Sequence, residues 1–263
     1  GSTYPPLIGG FASTIFWPIS TALSGHFTWR EIYLLFAALN LLVCMPLHFW
    51  VMLKGKAAHA SGQMGKRLHV EGVVPQARRR AAMMLVSVAF ALLGFTLSSI
   101  LAHMVPMLGA LGLGGAAVVI GALFGPAQVL SRLINMVFGT NLSPPMLAVI
   151  SAALMVFGIL LLALTGASMV GAVAFAICLG LGSGINSIAQ GSLPLYLFGS
   201  DGYGALTGKM AATRLAAGAA APFAFAATME RFGIGPSLVL SAALGSLGIP
   251  PFVPVAMTTK RTL

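Results

Sequence analysis

The sequence predicts an all-α integral membrane bundle of eight transmembrane helices, and three observations carry that expectation. Residues 81–255 hold six long hydrophobic runs, separated by only a few polar or Gly/Pro residues. Hydrocarbon offers no water to backbone N–H and C=O groups, so so apolar a chain crosses a bilayer only as helices or as a closed barrel. The runs mostly exceed about 20 residues and lack the apolar/polar alternation of barrel strands, which selects helices. Finally, a chain with 58% hydrophobic and 7% charged residues and a mean hydropathy of +0.98 cannot present the charged surface that a soluble domain of this size needs.

Taken in order, the first span is read over residues 6–23, where Gly9 and Gly10 permit close helix contact and Pro18 permits a kink. Thr28 is a candidate N-cap for the second span, 31–53, with Glu31 three residues on as its reciprocal acceptor. Trp29 and Trp50 stand near the ends of that span, where an indole prefers the headgroup zone. Residues 54–80 are the one substantial polar segment. They carry Lys54, Lys56, Lys66, Arg67, Arg78, Arg79 and Arg80 against the single acid Glu71, which places them on the cytoplasmic side beside an anionic leaflet. His59 and His69 within it make no metal pattern and read as part of a solvated linker. Six further spans follow over 81–107, 114–137, 145–164, 169–198, 203–229 and 236–255. Alternation from an internal linker makes both chain ends cytoplasmic, and it leaves only Arg30 and Arg231 among the Lys and Arg residues outside.

Several function classes are disfavoured by what the chain carries. Its net charge of +10 is parcelled between apolar runs rather than gathered on one basic face, so topology accounts for it and nucleic acid does not. Cys44 and Cys178 both fall in apolar helices, which indicates neither a disulfide framework nor a CxxC site. The amino-terminal stretch lacks the basic region, short apolar segment and cleavage site of a signal peptide, and Gly1 in place of Met leaves truncation or processing open. There is no GxxxxGK[ST] loop, HExxH pattern or paired-carboxylate arrangement, so neither an enzyme nor a cofactor is expected.

The candidate functional residues are the polar groups inside the spans. Arg132 leads them, with Gln128 one turn before and Asn135 almost one turn after, so that all three can share a helix face. An arginine aimed into lipid is costly, whereas one facing a wet cavity keeps its solvent or meets an anion, and its forked donors suit a carboxylate. The competing structural role is snorkelling to the inner headgroups. Arg214 is the second candidate, near Thr207, Lys209 and Thr213, and no Asp or Glu lies within a span interior to pair with either arginine. Asn186 and Gln190, four residues apart with Ser183 a turn earlier, either line a polar passage or bond helix to helix. Asp201 in the next turn is placed to pair with Lys209 or to cap a helix. His103, three residues before Pro106, is a candidate proton-linked gate, with an ordinary structural histidine as the alternative. Helix packing is assigned to the small residues Gly121 and Gly125, Gly180 and Gly184, and the run Gly218 to Ala221.

Two spans, a basic internal linker and six spans with short turns resemble helices five to twelve of the major facilitator superfamily, over essentially the whole chain. The local resemblance is strongest in Gly9-Gly10-Phe11-Ala12-Ser13-Thr14-Ile15-Phe16-Trp17-Pro18, in His103-Met104-Val105-Pro106, in Gly125-Pro126-Ala127-Gln128-Val129 followed by Arg132, and in the stretch from Gly208 to Arg214. These look like the bacterial branches related to monocarboxylate and other small-solute facilitators. The resemblance implies that residues 1–53 are the last two helices of a first transporter half, 54–80 the linker and 81–263 a six-helix second half with a short tail. It implies an N-terminally truncated chain in a bacterial inner membrane, whose partners are membrane lipids, the missing N-terminal segment and a small solute, with an anion as one candidate. Such proteins work without ATP hydrolysis, exposing a site between the halves alternately to either side. The alternative is a non-transporting membrane scaffold or receptor-like protein associating through its small-residue surfaces.

Overall fold

The computed structural model describes residues 19–20, 22–60, 70–139 and 142–253. The span expected over 6–23 lies almost wholly outside these residues, as does His69. By its contacts the chain forms two compact units, one over residues 12–69 and one holding residues 70–263.

In the first unit, helix α1 (Trp29–Leu39) passes through a widened π-helical turn at Asn40–Cys44 into helix α2 (Met45–Ala60). Its start is the expected capping box: Thr28 N–H donates to Glu31 Oε2 at 2.8 Å, and Glu31 N–H donates back to Thr28 Oγ1 at 3.5 Å. Each bond satisfies an amide that the first helical turn leaves orphaned. Thr28→Ala is therefore expected to reduce hydrogen-exchange protection of the first-turn amides about fivefold, with the rest of the helix unchanged. The widened turn ends two residues before Pro46, which has no N–H to give the preceding turn. The stretch Trp29–Leu53 is strongly apolar, and its most hydrophobic part has no buried residue. That is the composition of a helix facing lipid or a partner rather than water.

The second unit begins with a 3-10 turn, Gln76–Arg78, leading into helix α3 (Arg79–Leu108), which ends in a π-helical turn at Gly109–Leu113. Gly112 has φ +96° there, a left-handed conformation that a side chain would oppose. Helices α4 (Ala116–Ala122) and α5 (Phe124–Phe138) divide the span expected over 114–137. The break lies just ahead of Pro126, whose missing donor is tolerated in a first turn and not in a helix interior. Helices α6 (Pro144–Thr165), α7 (Met169–Phe198), α8 (Tyr203–Phe232) and α9 (Ile234–Leu247) follow, with a closing 3-10 turn at Pro250–Phe252. Among the described residues, seven helical stretches are long and apolar enough to cross a membrane. The molecule is an all-α integral membrane bundle.

Small residues fix how the second unit packs. A Cβ on Gly180 of α7 would lie 2.6 Å from the Phe124 carbonyl oxygen and 2.7 Å from Ala127 Cβ on α5, and one on Gly182 would lie 2.6 Å from Met155 Cγ on α6. Only glycine lets these three backbones approach so closely. A second set joins α3 to α8, where Gly94 receives the stem of Arg214 and Gly218 faces Ser98, with Ser99 Oγ donating to the Ala221 carbonyl at 3.2 Å. Helix α9 closes the bundle, with Gly245 against both Val156 of α6 and Thr96 of α3. Phe175, Leu93, Ile100 and Met155 fill the interior. Leu164, Val170 and Phe223 point outward and are largely exposed, an apolar exterior suited to hydrocarbon rather than water.

Candidate functional site

Helix α7 carries a polar stripe, and side chains from two neighbouring helices converge on it. Gln128 Nε2 on α5 donates to Ser183 Oγ at 2.9 Å, and Arg132 Nε donates to Ser187 Oγ at 3.1 Å. Both pairs are 55 positions apart in sequence. A constant difference means that α5 and α7 run parallel and in register, so the i, i+4 spacing of Gln128 and Arg132 matches that of the two serines. The Ser187 hydroxyl itself donates to the Gly184 carbonyl at 2.7 Å, which leaves its oxygen lone pairs for the guanidinium. Arg132 is half-buried, with its Nε tied down in this way.

Three residues beyond Ser187, Gln190 lines a second feature, a cavity of ≈ 250 Å³ bounded by α3, α7 and α8. Arg214 enters it from α8, its stem lying against Gly94 of α3. Tyr203 and Thr207 supply hydroxyls, and Phe90, Pro194 and Met210 supply apolar wall. Tyr203 Oη donates to the Gly191 carbonyl at 2.7 Å and Thr207 Oγ1 to the Tyr203 carbonyl at 2.8 Å, so both present lone pairs rather than protons. Among the described residues, no carboxylate lines this cavity. Ser187 and Gln190 are only about 4.5 Å apart along the axis of α7, so both arginines address one short stretch of a single helix.

The other candidates are placed differently. Asn186 is 2% exposed and its Oδ1 has no hydrogen-bond partner. Asn135, which sequence spacing put on the face of Arg132, instead lines a separate, largely apolar cavity of ≈ 240 Å³ between α5, α6 and α7, with Ile134, Phe138, Leu154 and Ile185. His103 on α3 sits 3.1 Å from the Ser99 carbonyl through Nδ1, with its ring 5.4 Å from that of Phe225 on α8. A carbonyl only accepts, so Nδ1 carries the proton in this contact. Gly121, Gly125, Gly180 and Gly184 are all buried within the unit. A Cβ on Gly184 would strike Ser131 Oγ and the Gln128 carbonyl, whereas one on Gly121 would meet Val105 at an ordinary 3.4 Å. Asp201 is exposed, and its backbone carbonyl accepts from Arg79 Nη2 at 3.3 Å.

An apolar helical bundle with a polar seam between helices is an architecture that many membrane proteins share, and comparison with known families decides among them. A family model described as Major Facilitator Superfamily matches residues 7–222. The chain belongs to that superfamily. Comparison with curated proteins finds no match. Membership makes this helical membrane bundle a member of a transporter superfamily, and the α7 stripe is the part of this superfamily member where polar chemistry is concentrated.

Sequence reasoning missed Ser187, the side chain that holds Arg132, and Tyr203, which closes the wall of the Arg214 cavity. A usable signal existed for the first, since Ser183 and Ser187 repeat at i, i+4 beside Asn186 and Gln190. Phe90 and Gly94 gave none, because they become part of the site only through the packing of α3 on α8.

Proposed function

We propose that the protein is a secondary transporter of a small organic anion, working by alternating access in its full-length form. The observation that carries this reading is the Arg214 cavity, which holds a guanidinium and an amide but no carboxylate among the described residues. A cation kept in an apolar bundle calls for an anionic counterpart, and a solute carboxylate matches the forked donors of arginine. Arg132, with Gln128 and Ser187, and Arg214, with Gln190, are the residues assigned to the solute path. Asn186 is assigned an orienting role, and Asn135 a place at its margin. The monocarboxylate-like branch and the bacterial inner membrane are part of this proposal. So is the twelve-helix register, in which residues 1–53 close a first half, 54–80 link the halves on the cytoplasmic side and 81–263 form the second half. It also keeps both ends of this segment cytoplasmic and assigns the chain no catalytic role.

Uptake of small carboxylates by the full-length protein tests the reading, with Arg132→Lys and Arg132→Ala as variants. Lysine keeps the charge and loses the fork, so uptake should fall in the order wild type, Lys, Ala. Wild-type uptake in both variants would sink the assigned role of Arg132. One point weighs against the scaffold alternative: Gly121, Gly125, Gly180 and Gly184 are buried inside one unit and offer no surface to a partner.

His103 is proposed as a proton-linked gate. With Nδ1 held at the Ser99 carbonyl, Nε2 is the position that takes up and releases a proton. Replacement by Gln, which cannot take up a proton, is expected to flatten the pH dependence of uptake. An unchanged pH profile at normal expression would reject the gate.

A further inference from the structure

We infer that residues 70–75 form a strap that sets access to the Arg214 cavity, a regulation that rests on the transport reading above. This stretch belongs by sequence to the polar linker, yet it is bonded to the end of α7. Val73 and Val74 donate their N–H groups to the carbonyls of Tyr196 and Leu197 at 3.2 and 3.0 Å. Those carbonyls lie in the last turn of α7, where a helix has no partner of its own to offer. The strap thus completes the helix from outside. It is held further by Val70 N–H on Ser200 Oγ at 3.2 Å and by Ser200 N–H on the Val70 carbonyl at 2.9 Å.

Apart from Ser200 Oγ the contact is backbone against backbone, and glycine on both sides makes it so. A Cβ at Gly72 would lie 2.5 Å from the Leu197 oxygen, and one at Gly199, which has φ +76°, would strike the Val70 carbonyl. Arg79, at the start of α3, grips the same turn through the Asp201 carbonyl and the ring of Phe198, which lies 5.8 Å from its guanidinium carbon.

The strapped turn also forms one end of the cavity. Pro194 precedes Tyr196 by two residues and Tyr203 follows Ser200 by three, and both line the cavity opposite Phe90 of α3. With the strap engaged, the ends of α7 and α8 stay close to the start of α3. With it released, the α7–α8 turn moves away from α3 and the cavity widens. Val70 and Val73 are exposed and Val74 is only partly buried against the core, so the strap is held by a few hydrogen bonds and one valine rather than by a large buried apolar surface. Such a segment opens well below the cost of global unfolding.

The test uses the full-length protein with Cys44 and Cys178 changed to Ser and a reporter cysteine in the cavity wall, Ala211→Cys. The rate of labelling by a membrane-impermeant maleimide is measured without solute. Gly72→Val is expected to raise that rate about tenfold, on the order expected from losing two backbone hydrogen bonds. Gly199→Ala should act in the same direction, and Ser200→Ala, which removes one bond, more weakly. Gly208→Ala adds its methyl where no atom lies within 4 Å and should leave the rate unchanged. If Gly72→Val fails to fold, the two milder variants decide. Wild-type labelling in every folded strap variant overturns the strap, and does so without touching the transport reading, which is judged by uptake in the arginine variants.

Discussion

Arg214→Met in the full-length protein is expected to lower the uptake of an anionic solute about 10- to 100-fold at subsaturating concentration, from the loss of charge-assisted hydrogen bonds worth about 1.5–3 kcal/mol. Methionine keeps an unbranched stem to lie against Gly94, where Arg214 Cγ fills the space a Cβ would need. It removes only the charged head. The amount of folded protein should therefore stay near wild type, which separates loss of solute binding from loss of structure. Arg214→Lys restores the charge without the planar fork and should recover part of the rate. Initial uptake rates over a range of solute concentrations, normalised to protein in the membrane, check both variants. Equal rates in wild type and Arg214→Met would remove this residue from the solute path.

Gly184→Val is expected to destabilise the second unit by about 3 kcal/mol or more, at the upper end of what overpacking costs. The first atom added would strike Ser131 Oγ and the Gln128 carbonyl. A hydroxyl can rotate away, but a helix carbonyl cannot move without its helix. Displacing α5 also breaks the bonds from Gln128 to Ser183 and from Arg132 to Ser187, since both depend on the register of the two parallel helices. Gly121→Ala is the matched comparison, with its nearest contact at 3.4 Å, and should be close to neutral. Thermal unfolding of purified protein in detergent reads both. Similar melting of the two variants would contradict the packing described for α5 and α7.

That contrast shows what the sequence could and could not convey. Gly121 with Gly125 and Gly180 with Gly184 are the same motif in the chain, yet Gly184 meets a backbone and Gly121 meets only side chains. Spacing marks a narrow helix face; it does not say how close the neighbour comes. The seven spans among the described residues were legible because hydrocarbon demands long apolar helices, and α7 occupies the same residues, 169–198, that hydropathy assigned. The capping box at Thr28 was legible because both of its partners lie within one turn.

Asn135 was harder to place. A step of three residues from Arg132 rotates the side chain by about 60°, enough to carry it to the flank where α6 also packs. Which flank meets which helix depends on the tertiary register. The strap over residues 70–75 was not legible either, since its bonds come from backbone groups that no side-chain pattern reports. Seen from the sequence, those residues are the end of a basic linker; in the structure they cap a helix more than a hundred positions away.

One stretch of α7, with Arg132 on one side and Arg214 on the other, is proposed to face a water-filled solute path. A cysteine-accessibility scan of the full-length protein tests it, with single cysteines at positions 132, 187, 190, 211 and 214 and at the packed alanine positions 172 and 176. The expected result is reaction of the first group with a water-soluble thiol reagent, slowed by the anionic solute at 187, 190 and 211, where both arginines are kept, and no reaction at 172 and 176, which are buried. Uniform silence along α7 and α8, or labelling that no carboxylate slows, would contradict the account.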